Sequence, residues 1–104
     1  MEKFEMVEVL KERGFVEQPI EAEALRQCDG IILERTWSKE IEVAWYGKRT
    51  ATYTVRVFVN RASGICRVSY QQDGREYKSR WYDTVGKRTY NAIVETARCA
   101  GYEF

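Results

Sequence analysis

Thr50-Ala51-Thr52-Tyr53-Thr54-Val55-Arg56-Val57-Phe58-Val59-Asn60-Arg61 is the stretch on which the fold turns. Tyr53, Val55, Val57 and Val59 alternate with Thr52, Thr54, Arg56 and Phe58. A period of two belongs to a strand with one buried and one open face. β-Branched and aromatic residues suit such a pleated, half-buried surface. The run predicts the longest strand of the molecule.

Working outward, the same period continues on both sides. Downstream, Ala62-Ser63-Gly64 predicts a turn, and Ile65–Gln72 sets Cys66, Val68 and Tyr70 against Arg67, Ser69 and Gln71. Asp73-Gly74 predicts a type I′ hairpin turn, whose two central residues need positive φ. Arg75–Tyr82 then sets Tyr77, Ser79 and Trp81 inward against Glu76, Lys78, Arg80 and Tyr82. Upstream, Gly47-Lys48-Arg49 reads as a turn, and Glu40–Tyr46 as a strand with Ile41, Val43 and Trp45 inward. Ser38-Lys39 reads as a further turn, after a first strand over Ile31–Trp37 that follows Asp29-Gly30.

The ends of the chain change period. In residues 2–13, Phe4, Val7 and Leu10 recur every third position, with Glu2, Glu5, Glu8 and Glu12 outward: an amphipathic helix that Gly14 ends. Phe15–Pro19 is expected as a connection and Ile20–Gln27 as a short second helix. Asp83 or Thr84 is placed to cap a last helix with the stripe Val85, Tyr90, Ile93, Val94, Ala97 and Ala100. Gly101 ends that helix, and Tyr102-Glu103-Phe104 is a tail expected to tuck back.

The turns are too short for parallel crossovers. The expected fold is therefore α+β, an antiparallel four- to five-stranded meander sheet with N-terminal and C-terminal helices packed on one face. Residues 1–104 are expected to form a single domain, since a chain of 104 residues supports one modest core. No run approaches the roughly 20 apolar residues that span a bilayer. The acidic Met1-Glu2-Lys3-Phe4-Glu5 start lacks the apolar run of a secretory signal, so no membrane association and a cytoplasmic location are expected.

Chemistry-bearing residues are sparse. Histidine is absent, which removes the commonest general base and metal ligand. Cys28, Cys66 and Cys99 are far apart and fit reduced thiols, with Cys66 and Cys99 read as buried rather than reactive. No phosphate loop or metal-ligand spacing occurs. A non-catalytic protein without metal or cofactor is expected.

Charge points toward binding. Residues 1–43 hold six Lys/Arg and eleven Asp/Glu, net −5, whereas residues 44–90 hold ten against three, net +7. The total of +1 hides this polarity. The open sheet face is expected to gather Tyr46, Arg56, Phe58, Arg67, Lys78, Arg80 and Tyr82. Lys48, Arg49, Lys87 and Arg88 are expected to form a secondary basic cluster.

The first reading of this surface is a small accessory protein that binds and modulates or inhibits a protein partner. As a class-level expectation, this includes phage or mobile-element proteins acting on a host complex. The alternative is single-stranded nucleic acid, with bases stacked on Tyr46, Phe58 and Tyr82 and phosphates met by the cations. A third reading is a homodimer whose sheet pairs with itself. Thr, Arg, Lys and Tyr also populate strand faces that bind nothing, because they combine β propensity with long solvated side chains.

Overall fold

The computed structural model describes residues 5–20, 29–45, 47–99 and 102, with Tyr77 described by its backbone alone. The expected second helix from residue 21 onward lies outside this set, as do residues 1–4, Cys28, Tyr46, Ala100, Gly101 and, in the expected tail, Glu103 and Phe104. The alternating stretch becomes β3 (Gly47–Asn60), the centre of a five-stranded antiparallel sheet. Around it run β1 (Val16–Gln18), β2 (Gly30–Val43), β4 (Ile65–Gln72) and β5 (Arg75–Tyr82), in spatial order β1-β2-β3-β4-β5. α1 spans Met6–Glu12 and α2 spans Lys87–Cys99.

The register explains the core. Val59 pairs with Ile31 and Cys66, Val57 with Leu33 and Val68, and Val55 with Tyr70. All of these are buried, and residues of both helices (Met6, Leu10, Ile93 and Ala97) join the same cluster, along with Phe15 and Tyr102. Each fully buried aliphatic side chain contributes roughly 1.5–3 kcal/mol.

Local chemistry sets the boundaries. At the end of α1, Gly14 takes φ +96°. Its N–H donates to the Lys11 carbonyl at 3.1 Å, and the Phe15 N–H to that of Leu10 at 3.0 Å. This double closure needs a left-handed residue, and Phe15 and Leu10 then pack in the core. The β3–β4 turn is held by Asn60, whose Oδ1 accepts the N–H groups of Ala62 and Ser63, both at 3.1 Å. Asp73 and Gly74 have φ 54° and 82°, as the type I′ reading requires.

Beyond α2, Tyr102 does tuck back. Its hydroxyl donates to the Gln71 carbonyl at 2.7 Å, and its N–H to the Ala97 carbonyl at 2.9 Å. Its ring stands edge-on to Trp37 at 5.0 Å and to Tyr53 at 5.1 Å.

Several expectations are corrected. Ser38-Lys39 is no turn: β2 runs straight through, with Ser38 opposite Thr52 and Lys39 opposite Ala51. Neither residue adopts positive φ, so every position keeps its partner on β3. The reversal falls instead between Val43 and Gly47, which face each other, so Gly47 opens β3 and Trp45 sits in the loop. Trp45, read as core, is 99% exposed.

The Phe15–Pro19 connection contains β1, whose three residues pair with Glu34, Leu33 and Ile32 on the edge of β2. At the start of α2, Gly86 rather than Asp83 or Thr84 supplies the first helical acceptor, to the Tyr90 N–H at 3.1 Å. Thr84 shares a hydroxyl–hydroxyl hydrogen bond of 2.6 Å with the buried Thr89. Cys99 is exposed, because it ends α2 off the buried stripe.

The largest correction concerns β5. The Asp73-Gly74 turn sets Gln72 opposite Arg75 and Gln71 opposite Glu76. A bulge then intervenes, the register passes over Tyr77, and Tyr70 faces Lys78. One extra residue moves every later side chain to the opposite face. Lys78, Arg80 and Tyr82 therefore share the face of Tyr70, Val68 and Cys66, while Ser79 and Trp81 join the open face. Trp81, read as core, is 65% exposed. Tyr82 packs against the core cluster, and the exposed Lys78 and Arg80 place charge along an edge strand, where it discourages pairing with another chain.

Candidate binding site on the open sheet face

Three rows of side chains cross the open face. One runs Ile32–Phe58–Arg67–Trp81, the next Glu34–Arg56–Ser69–Ser79, and the third Thr36–Thr54–Gln71–Glu76. Together they shape a shallow depression of about 310 Å³, lined by Ile32, Arg56, Phe58, Arg67, Ser69, Gln71, Glu76 and Trp81.

Both cations in the depression are held by partners. Arg56 places Nη2 at 2.7 Å and Nε at 2.8 Å from the same Glu34 oxygen, Oε2. Arg67 donates from Nε to Ser79 Oγ at 2.9 Å and from Nη2 to Glu76 Oε1 at 3.4 Å. Its guanidinium also lies over the Trp81 ring, 5.6 Å from the centroid. Such half-exposed pairs add little stability, typically 0.2–1 kcal/mol. Their consequence is directional: each guanidinium is oriented by its partners and its charge is locally balanced.

Of the residues expected on this face, Arg56, Phe58 and Arg67 meet in the depression. Lys78, Arg80 and Tyr82 lie on the other side of β5, and Tyr46 lies outside the described residues. Trp81 and Glu34 complete the site. Trp81 was hidden by the bulge, and Glu34 by the turn read at Ser38-Lys39, which left the pairing of β2 with β3 unspecified.

The secondary basic cluster does not assemble. Lys48 and Arg49 begin β3, whereas Lys87 follows Val85 and Gly86, which line one cavity with Val59 and Arg61 at the strand's far end. Roughly 36 Å of strand separates these ends, at about 3.3 Å per residue. Arg49 is engaged locally, with Nη1 2.9 Å from Asp73 Oδ2. Asp73 Oδ1 also accepts the Thr52 N–H at 3.0 Å. That backbone hydrogen bond, then Arg49, holds the Asp73 carboxyl below its usual range.

A second feature is the part of the β2–β3 ladder that runs on beyond the other strands. β1 pairs only with residues 32–34 of β2, and β4 reaches only to Tyr53 of β3. Among the described strands, Ser38–Val43 and Gly47–Thr52 therefore pair only with each other, forming an arm that packs on the core through Ala51 and Ile41 and carries Trp45 at its tip. Trp45 adopts φ +75°, a region that a bulky L-residue rarely occupies.

Among the described residues, no group of three or more His, Cys, Asp or Glu is placed to hold a metal, and no helix is long and apolar enough to cross a membrane. Cys66 is free and buried, and burial pushes its thiol up to about 12. No family model, curated protein or solved structure matches this chain.

Proposed function

We propose that this chain is a non-catalytic binding protein that docks a protein partner on the open face of its sheet. The observation that carries the reading is the pairing of both guanidiniums in the depression, Arg56 with Glu34 and Arg67 with Glu76, beside exposed Trp81. A polyanion would meet a carboxylate beside each of these cations, so the depression offers it no net positive charge. A protein surface meets the same site as a balanced, partly apolar patch. Tryptophan and arginine are also the residues most enriched at the energetic centres of protein interfaces.

The displacement of Lys78 and Arg80 to the other side of β5 further weakens the case for a phosphate track on this face. Free thiols and the absence of histidine fit a role without chemistry.

The test pairs two measurements on the purified full chain. Labelled single-stranded RNA and DNA, followed by anisotropy at low and moderate salt, should show no salt-sensitive binding. Partner capture from cells of the source should retain a discrete, nuclease-insensitive species that Trp81→Ala and Arg67→Ala both lose, while circular dichroism shows each variant folded. Capture unchanged in both variants would overturn the reading. So would nucleic-acid binding with a log–log salt slope near −1.4, about two phosphates on a single strand, that Arg56→Ala and Arg67→Ala abolish.

A further inference from the structure

Trp45 contributes no packing to the fold and holds a disfavoured backbone conformation. Its side chain is 99% exposed at φ +75°, where glycine or asparagine would be at ease. A ring of this size exposed at the end of an arm is suited to insertion in another surface. The depression on the open face has the complementary character. Phe58, Ile32 and Trp81 supply apolar walls, and the oriented guanidiniums of Arg56 and Arg67 offer flat cationic faces on which an indole stacks. Its volume, about 310 Å³, accommodates an indole side chain.

Trp45 cannot reach the depression of its own chain, because roughly 36 Å of β3 lies between the arm tip and Phe58 at about 3.3 Å per residue. We infer that the occupant of the depression is Trp45 from a second copy of this chain, each arm entering the open face of the other. The inference rests on the reading of the open face as a protein-docking surface.

Charge and area are consistent with this contact. Lys39, Lys48 and Arg49 are balanced by Glu40, Glu42 and the Asp73 bound to Arg49, so the arm brings no net charge to the paired guanidiniums. An aromatic side chain buries roughly 150–250 Å². Two rings and two depressions thus bury roughly 800 Å², below the roughly 1,200 Å² of a standard stable interface. The association therefore belongs with the weak, transient contacts rather than the stable dimers.

Sedimentation equilibrium of the full chain from about 10 µM to 1 mM tests it. The average mass should rise from 12.3 kDa toward twice that value. Trp45→Ala and Trp81→Ala, each checked for native circular dichroism, should stay monomeric alone. Mixed in equal amounts, they should regain part of the association, because one intact arm then meets one intact depression. A mass climbing past the dimer, still lost in Trp45→Ala, supports the same contact in a form that does not close. A wild-type chain monomeric throughout, or association that survives Trp45→Ala, overturns the inference. Neither result touches the open-face reading, which stands or falls on capture by Trp81→Ala and Arg67→Ala.

Discussion

Replacing Trp45 with glycine should make the folded chain more stable, the reverse of what removing a tryptophan normally does. The side chain is 99% exposed, so its loss removes almost no buried area. Its backbone sits at φ +75°, where a residue bearing a Cβ is disfavoured by about 1–2 kcal/mol. Glycine relieves that strain but gives the unfolded chain extra freedom worth about 0.4–1 kcal/mol. The net expectation is a gain of about 0.5–1 kcal/mol, which for a domain of this size raises Tm by roughly 2–8 °C. Trp45→Ala keeps the Cβ and the strain, and should lie within about 0.5 kcal/mol of wild type. Urea unfolding at about 5 µM, where weak self-association adds little, measures both variants. A shift in midpoint without a change in m reports a change in stability alone, the net of strain relieved and freedom gained. The reasoning is refuted if Trp45→Gly is no more stable than Trp45→Ala, or if both lose more than about 1.5 kcal/mol, since either result means that the ring or its backbone serves the fold.

Three further outcomes follow from the same geometry. Tyr102→Phe removes the hydrogen bond to the Gln71 carbonyl and should cost about 1 kcal/mol, whereas Tyr102→Ala also empties the ring's place against Trp37, Tyr53 and Tyr70 and should cost about 3–5 kcal/mol, both read from urea midpoints. Asp73→Asn tolerates the turn's positive φ but loses the charge. Because the folded carboxyl titrates below its unfolded value, its contribution is complete above the unfolded pKa and lost as pH falls through the folded one, so wild type and variant should converge in stability on acidification below about pH 4. In the native protein at pH 8, iodoacetamide should label Cys99 and spare Cys66, whose thiol is pushed up to about 12, until denaturant exposes it; peptide mass mapping reads both sites.

The parts of this protein that its sequence determined are those that depend on neighbours along the chain. Alternation of Tyr53, Val55, Val57 and Val59 with polar residues names a strand and its buried side, because the pleat has a fixed period of two. Gly14 stops α1 and Asp73-Gly74 closes a hairpin because both positions demand positive φ. Short turns leave only an antiparallel meander. Arg56, Phe58 and Arg67 were legible as companions on one face because no irregularity separates them on β3 and β4.

What only the tertiary structure decided depends on partners across strands. The bulge opposite Tyr70 turns Lys78, Arg80 and Tyr82 to one side and Trp81 to the other, and no pattern within β5 announces it, because a bulge is a relation between two strands. The continuity of β2 through Ser38-Lys39 comes from the unbroken ladder with β3, which places Trp45 at a tip instead of in the core. β1 forms because the edge of β2 offers it partners. The pairing of Arg56 with Glu34 likewise needs two residues that chain position alone leaves unrelated. A dihedral preference is carried by a residue and its nearest neighbours, whereas register and charge pairing exist only once distant segments lie side by side.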